Sequence, residues 1–199
     1  MDTCFLDEDE NNYIMCLYIN NTGTSCALCF ADISTGEFNC TDTAFNLSVI
    51  LDEICKFNPR EMIIQEDMDS DVLGSIVEVF NETFSRVDEC YFQGGENVLK
   101  EQFEDLNLNE YTPEVIKCGG ALVKYIKHTQ KTNLSHINKF QYYNIVDYLT
   151  IDINSRRNLE IVESLRENKK KGSLLGVIDK TNTSMGGRQL RKWIEQPLI

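Results

Sequence analysis

Two short polar turns, each bracketed by apolar runs, constrain this chain more than any other feature. Residues 13–19 (Tyr-Ile-Met-Cys-Leu-Tyr-Ile) are apolar or aromatic throughout, and Asn20-Asn-Thr-Gly23 then carries turn chemistry. Residues 25–33 form a second, almost unbroken apolar run, which Ser34-Thr-Gly36 turns back into 37–41. Asn, Asp, Ser and Gly at such spacing close hairpins, so three antiparallel strands in a meander are predicted.

The period then changes. Phe45, Val49, Ile50, Ile54 and Phe57 recur at helical spacing over 44–57, a short strand follows at 61–65, and Val72, Leu73, Ile76, Val77 and Phe80 mark a helix over 70–81. Another strand near 83–87 and a helix around 98–106 complete the order βββαβαβα. Hairpins followed by crossover helices imply an α/β fold, a mixed sheet with helices on both faces, which is the ribonuclease H-like layout.

Nucleases of that layout hold two metal ions with carboxylates on the first strand, the first helix and the end of the fourth strand. Here the first strand has no acid; Asp32 and Glu37 flank a hairpin, Glu53 lies on the first helix, and Glu66 and Asp67 follow the fourth strand. Without a first-strand acid the metal pair lacks a common ligand. A divergent nuclease or polynucleotide-binding domain is therefore only the alternative reading. Asp32-Ile-Ser-Thr-Gly36 reads as a plain turn rather than a phosphate loop.

Charge divides the chain. Residues 1–118 carry 5 Lys and Arg against 25 Asp and Glu, or −20, and 119–199 carry 14 against 7, or +7, together the net −13. The acidic part would be repelled by a phosphate backbone, and the basic part tolerates one. A boundary near residue 115 is the reading, with domains over 1–115 and 116–199. The second is read as three amphipathic helices (121–129, 155–166 and 184–195), the last preceded by an extended run at 174–178. These helices are expected to pack loosely and to exchange amide hydrogens faster than the sheet of 13–65.

Eight cysteines in 199 residues, mostly inside apolar runs, indicate a reducing cytoplasmic setting rather than a disulfide scaffold. Cys26-Ala-Leu-Cys29 has metal-site spacing, but residues three apart on a strand face opposite ways, so no metal is expected there. No leader and no membrane-length apolar run is evident.

Two segments carry a specific resemblance. Tyr148-Leu-Thr-Ile-Asp152-Ile-Asn-Ser-Arg-Arg157-Asn158-Leu159-Glu160-Ile161 is one. Ile178-Asp179-Lys-Thr181-Asn-Thr183-Ser-Met185-Gly186-Gly-Arg188-Gln-Leu190-Arg191-Lys-Trp193 is the other. They resemble the Leu-Asp-x-x-Thr-x-Arg-Asn-Leu-Glu-Leu and Leu-Asp-x-Thr-x-Thr-x-Met-Gly-x-Arg-x-Leu-Arg-x-Trp motifs of the MutS family of DNA mismatch-repair proteins. Ile151, Ser155, Ile161 and Ile178 depart mildly from them. Asn11-Asn-Tyr-Ile14 and Phe30-Ala-Asp-Ile-Ser-Thr-Gly-Glu-Phe38 resemble the start of that family's non-catalytic connector domain, and Gly119-Gly-Ala-Leu-Val-Lys-Tyr-Ile126 the first helix of its all-helical core.

The resemblance implies a connector at 1–115 and a truncated core or lever at 116–199, with no chemistry of their own. The connector would link mismatch recognition to the ATPase and offer a docking surface to MutL. ATP, magnesium and mismatched double-stranded DNA would be bound elsewhere in a parent protein, a homodimer of the cytoplasm and nucleoid. No Gly-x-x-x-x-Gly-Lys-[Ser/Thr] phosphate loop and no suitably placed Phe-x-Glu wedge occurs in this chain. The stop at Ile199, with a helix begun and unpartnered, reads as a cut end.

Within the second motif Thr183 or Ser184 is expected to cap a helix, and Gly186-Gly187 to permit close packing. Gln196-Pro197 should end that helix. Lys169, Lys170 and Lys171 followed by Gly172 are explained by the C-terminus of a helix over 155–168, with DNA contact as the lesser reading.

Overall fold

Asn20 closes the first turn as its composition requires. Its carbonyl accepts from Gly23 at 2.9 Å, its side-chain oxygen accepts from the Thr24 amide at 2.9 Å, and Gly23 takes the left-handed φ of +67°. Asp32 organises the second turn: its Oδ1 accepts from the Ser34 amide at 2.8 Å and the Ser34 hydroxyl at 2.6 Å. In this computed structural model the described residues are 11–199 except 81, 105, 131–133, 148, 150, 168, 196 and 198–199. Cys4, Tyr148, Gln196, Ile199 and the helix ends expected at 81 and 168 lie outside them.

The turns join β1 (Tyr13–Ile19), β2 (Ser25–Asp32) and β3 (Glu37–Ala44), paired antiparallel with Cys16 opposite Cys29 and Cys29 opposite Cys40. α1 (Leu47–Phe57) leads to β4 (Glu61–Gln65), parallel to β1, and α2 (Ser70–Val79) leads to β5 (Thr83–Val87), parallel to β4. α3 (Gly95–Gln102) and α4 (Pro113–Gln130) follow. A sixth strand absent from the sequence reading, β6 (Lys139–Tyr142), runs parallel to β3 and gives the order β5-β4-β1-β2-β3-β6.

Both faces are covered, as expected of the ribonuclease H-like layout. Met15, Leu17, Leu28 and Phe30 pack with Ile50, Ile54 and Phe57 of α1 and Ile76 of α2. The alternate residues Cys16, Tyr18, Cys29 and Cys40 pack with Leu99 of α3 and Cys118, Leu122 and Ile126 of α4. Cys26 falls on the first face and Cys29 on the second, which is the period-two separation that keeps the Cys-x-x-Cys pair apart. Phe30 stacks on Phe57 with centroids 3.9 Å apart, and burying a ring of this kind is worth roughly 1.5–3 kcal/mol.

The boundary placed at 115 from charge needs correction. α4 begins at Pro113 and lies on the sheet: Cys118 Sγ reaches the Cys16 carbonyl at 3.1 Å and the Ala27 carbonyl at 3.4 Å. Residues 12–144 form one compact unit, so the helix expected at 121–129 completes the sheet domain and does not open a separate helical one. Charge reports on surfaces, while the domain edge follows the buried face of α4. No helix among the described residues is long and apolar enough to cross a membrane.

The second compact unit holds Asn11 and 145–199. It contains α5 (Ile153–Asn158), α6 (Leu174–Ile178) and α7 (Ser184–Glu195). Two expectations fail here. The helix expected over 155–166 stops at Asn158, because Glu160 turns left-handed (φ +49°) and its carboxylate takes the Leu165 amide at 2.6 Å. Its carbonyl and that of Ile161 take the amides of Leu174 and Leu175, both at 2.9 Å, in place of helical partners. The extended run expected at 174–178 is helical instead, since Ser173 caps it by accepting from the Gly176 amide at 3.1 Å.

Candidate functional site

Of the acids that a nuclease of this layout would need, those on the hairpin and on the first helix are otherwise engaged, while Glu66 and Asp67 after β4 are exposed. Asp32 holds its turn. Glu53 is buried on α1, where Lys56 Nζ approaches its two oxygens at 3.1 and 3.2 Å and the Tyr143 hydroxyl donates to Oε2 at 2.5 Å. Among the described residues no group of three or more His, Cys, Asp or Glu side chains could hold a metal ion.

The motif residues of 152–193 divide into caps, ties and exposed apolar groups. Asp152 caps α5: its Oδ1 accepts from the Asn154 and Ser155 amides at 3.0 Å, and Ser155 donates its hydroxyl to Oδ2 at 2.6 Å. Those bonds hold its carboxyl below the usual range. Arg157 and Asn158 finish α5, Leu159 is two-thirds exposed, and Glu160 makes the left-handed turn already described.

Asp179 is the centre of the second motif. Lys170 Nζ lies 2.6 Å from its Oδ2, and Thr181 donates its amide at 2.9 Å and its hydroxyl at 2.7 Å to Oδ1. These donors, the Lys170 ammonium first, hold the Asp179 carboxyl well below the usual carboxylate range. Thr183 caps α7 by accepting from the Gly186 amide at 3.1 Å, as expected of one of two candidates. A Cβ on Gly186 would lie 3.1 Å from Thr183 Oγ1 and 3.2 Å from Thr181 Cβ, so the turn closes tightly over it. α7 ends at Glu195, ahead of Pro197.

A concavity of about 860 Å³ brings Lys169, Lys170, Lys171, Asp179, Thr183 and Arg191 together. The lysines do not follow a helix end as expected; they lie in a loop over α6, where a Cβ on Gly176 would be 2.1 Å from the Lys170 carbonyl oxygen. Arg156 is a residue that motif reasoning misses. With Arg191 it shares the Glu195 carboxylate, each at 3.4 Å, and so ties α5 to α7. Met185 and Trp193 stand 81% and 66% exposed, Leu190 is half-buried, and Arg188 Nε is buried without a hydrogen-bond partner.

Comparison with known proteins agrees with these two units. The family model MutS domain II matches residues 12–138, and MutS domain III matches 154–199. The Gly119-Gly-Ala-Leu-Val-Lys-Tyr-Ile126 segment, read from sequence as the first core helix, therefore falls in domain II, in keeping with its packing on the sheet. The DNA mismatch repair protein MutS of Clostridium kluyveri is 89% identical over 200 aligned residues, covering all of this chain and 23% of the relative. That of Clostridium botulinum strain 657 is 58% identical over 200, covering 21% of the relative. The chain thus spans less than a quarter of the length of these relatives, and the family's ATPase domain is not within it. A domain II sheet unit followed by domain III sequence, at this identity, means that the chain belongs to the MutS family.

Proposed function

We propose that this chain is the connector and the beginning of the core of a mismatch-repair protein, relaying conformational change and performing no chemistry itself. The observation that carries this reading is the Glu53 carboxylate. On a fold that elsewhere hosts two-metal nucleases, the helix acid is consumed by Lys56 and Tyr143, and β1 has no acid at all. On this reading the connector gives way to the core at 144–145, which the division of the two compact units there supports.

The parent protein would recognise mismatched double-stranded DNA, bind ATP and magnesium through segments outside this chain, and act in the cytoplasm as a homodimer. The acidic sheet unit would present the docking surface for MutL. Lys170 is committed to Asp179, so any phosphate contact by the lysine triplet falls to Lys169 and Lys171. Titrating the 199-residue chain onto immobilised cognate MutL should give saturable binding, and flat traces would sink the docking part. Incubation with plasmid and magnesium should leave the DNA intact; nicking that disappears in Glu53→Gln would overturn the non-catalytic part.

A further inference from the structure

We propose that Glu53, Lys56 and Tyr143 form a positioning clamp that fixes, against α1, the segment by which the chain leaves the sheet unit. Glu53 and Lys56 are 4% and 8% exposed on a face otherwise built from Met15, Leu17 and Phe30. Replacing a buried ion pair by apolar side chains is often neutral or stabilising, so net stability does not account for charge at this place. Specific positioning does.

The pair itself is local, three residues apart on one helix. Tyr143, 90 residues from Glu53, makes it long-range. Its hydroxyl donates to Glu53 Oε2 at 2.5 Å, the Lys56 ammonium stands 4.8 Å from its ring centroid, and its amide donates to the Cys40 carbonyl at 3.0 Å. Its ring also meets Phe57 at 5.9 Å.

β6 has four residues, and Phe140 points to the opposite face, among Phe38, Phe103 and Tyr111. Tyr142 is bonded to Asp42 at 2.8 Å and is 44% exposed. Asn144, the last residue of the unit, follows Tyr143 directly. A displacement of α1 must carry Tyr143 with it or strip a buried carboxylate of a hydrogen bond.

Hydrogen exchange read by mass spectrometry on the 199-residue chain tests the clamp. In Tyr143→Phe, amides of 141–144 should exchange at least 10-fold faster while those of β1 and β2 keep their wild-type rates. Glu53→Leu, which removes the acceptor, should do the same, and the double variant should add nothing beyond it. Since Glu53→Leu removes a counter-charge of Lys56 and could unfold the protein, Tyr143→Phe, which keeps the ring, decides. Tyr142→Phe removes the neighbouring hydroxyl and should leave 143–144 unchanged. Unchanged exchange in Tyr143→Phe, acceleration spread evenly over the sheet, or equal acceleration in Tyr142→Phe would each overturn the proposal.

Discussion

Gly95 and Gly120 meet backbone to backbone: a Cβ on Gly120 would lie 2.3 Å from the Gly95 Cα. α3 and α4 therefore cross with no side chain between them. Gly120→Ala must push two helices apart and should cost about 1–3 kcal/mol, seen as a lower urea midpoint. Gly74→Ala on α2 meets nothing within 4 Å and should instead gain up to about 1 kcal/mol from helix propensity. Indistinguishable midpoints for the two variants would contradict the close crossing.

The Asp179 carboxyl should titrate well below an ordinary aspartate. Its folded pKa is depressed, chiefly by Lys170 and then by Thr181, so its contribution to stability is fully present above the unfolded value of about 4 and fades as pH falls through the folded one. Carboxyl-detected NMR should show Lys170→Met moving the Asp179 midpoint upward. No movement would mean that the 2.6 Å contact does not persist in solution.

Thiol labelling should be selective. Cys16, Cys29, Cys40 and Cys118 are wholly buried, and burial raises their pKa values, with neighbouring thiols acting in both directions. Cys90 is exposed, although its hydrogen bond to Asp88 raises it too. Iodoacetamide should reach Cys90 first among the described cysteines, faster still in Asp88→Asn, and the four core thiols only on unfolding. Mass spectrometry that finds Cys118 modified in the native protein would refute the packing of α4.

Amide protection should divide at 144–145 and not at 115. β1, β2 and α4 should exchange together, near the global unfolding rate, while α5 to α7 exchange faster, because Met185, Trp193, Val177 and Leu159 expose apolar surface with little packed over it. Fast exchange in α4 would restore the charge boundary.

Why some elements are legible and others are not follows from where their determinants lie. β1 to β3 announce themselves because Gly23, Asp32 and the apolar runs act within a few residues of one another. Thr183 is readable as a cap for the same reason. β6 is hidden because Lys-Phe-Gln-Tyr owes its strand conformation to a ladder with β3, about a hundred residues earlier in the chain. α5 ends early because Glu160 and Ile161 bond to Leu165, Leu174 and Leu175, and helical periodicity takes no account of such distant partners. Glu53 is visible as a candidate acid, yet its engagement depends on Tyr143 and so needs the fold. The relative placement of Arg156 and Glu195 is hidden likewise.

The lateness of β6 has a practical consequence for making this protein. A chain cut at residue 115 contains the residues of β1 to β5, but the outer rim of β3 then lacks β6, and the Cys16, Tyr18 and Cys40 face lacks α4. Such an edge is a template for intermolecular pairing. A gene fragment trimmed where the charge changes sign should therefore yield inclusion bodies, and one carried past Tyr143 should yield soluble protein.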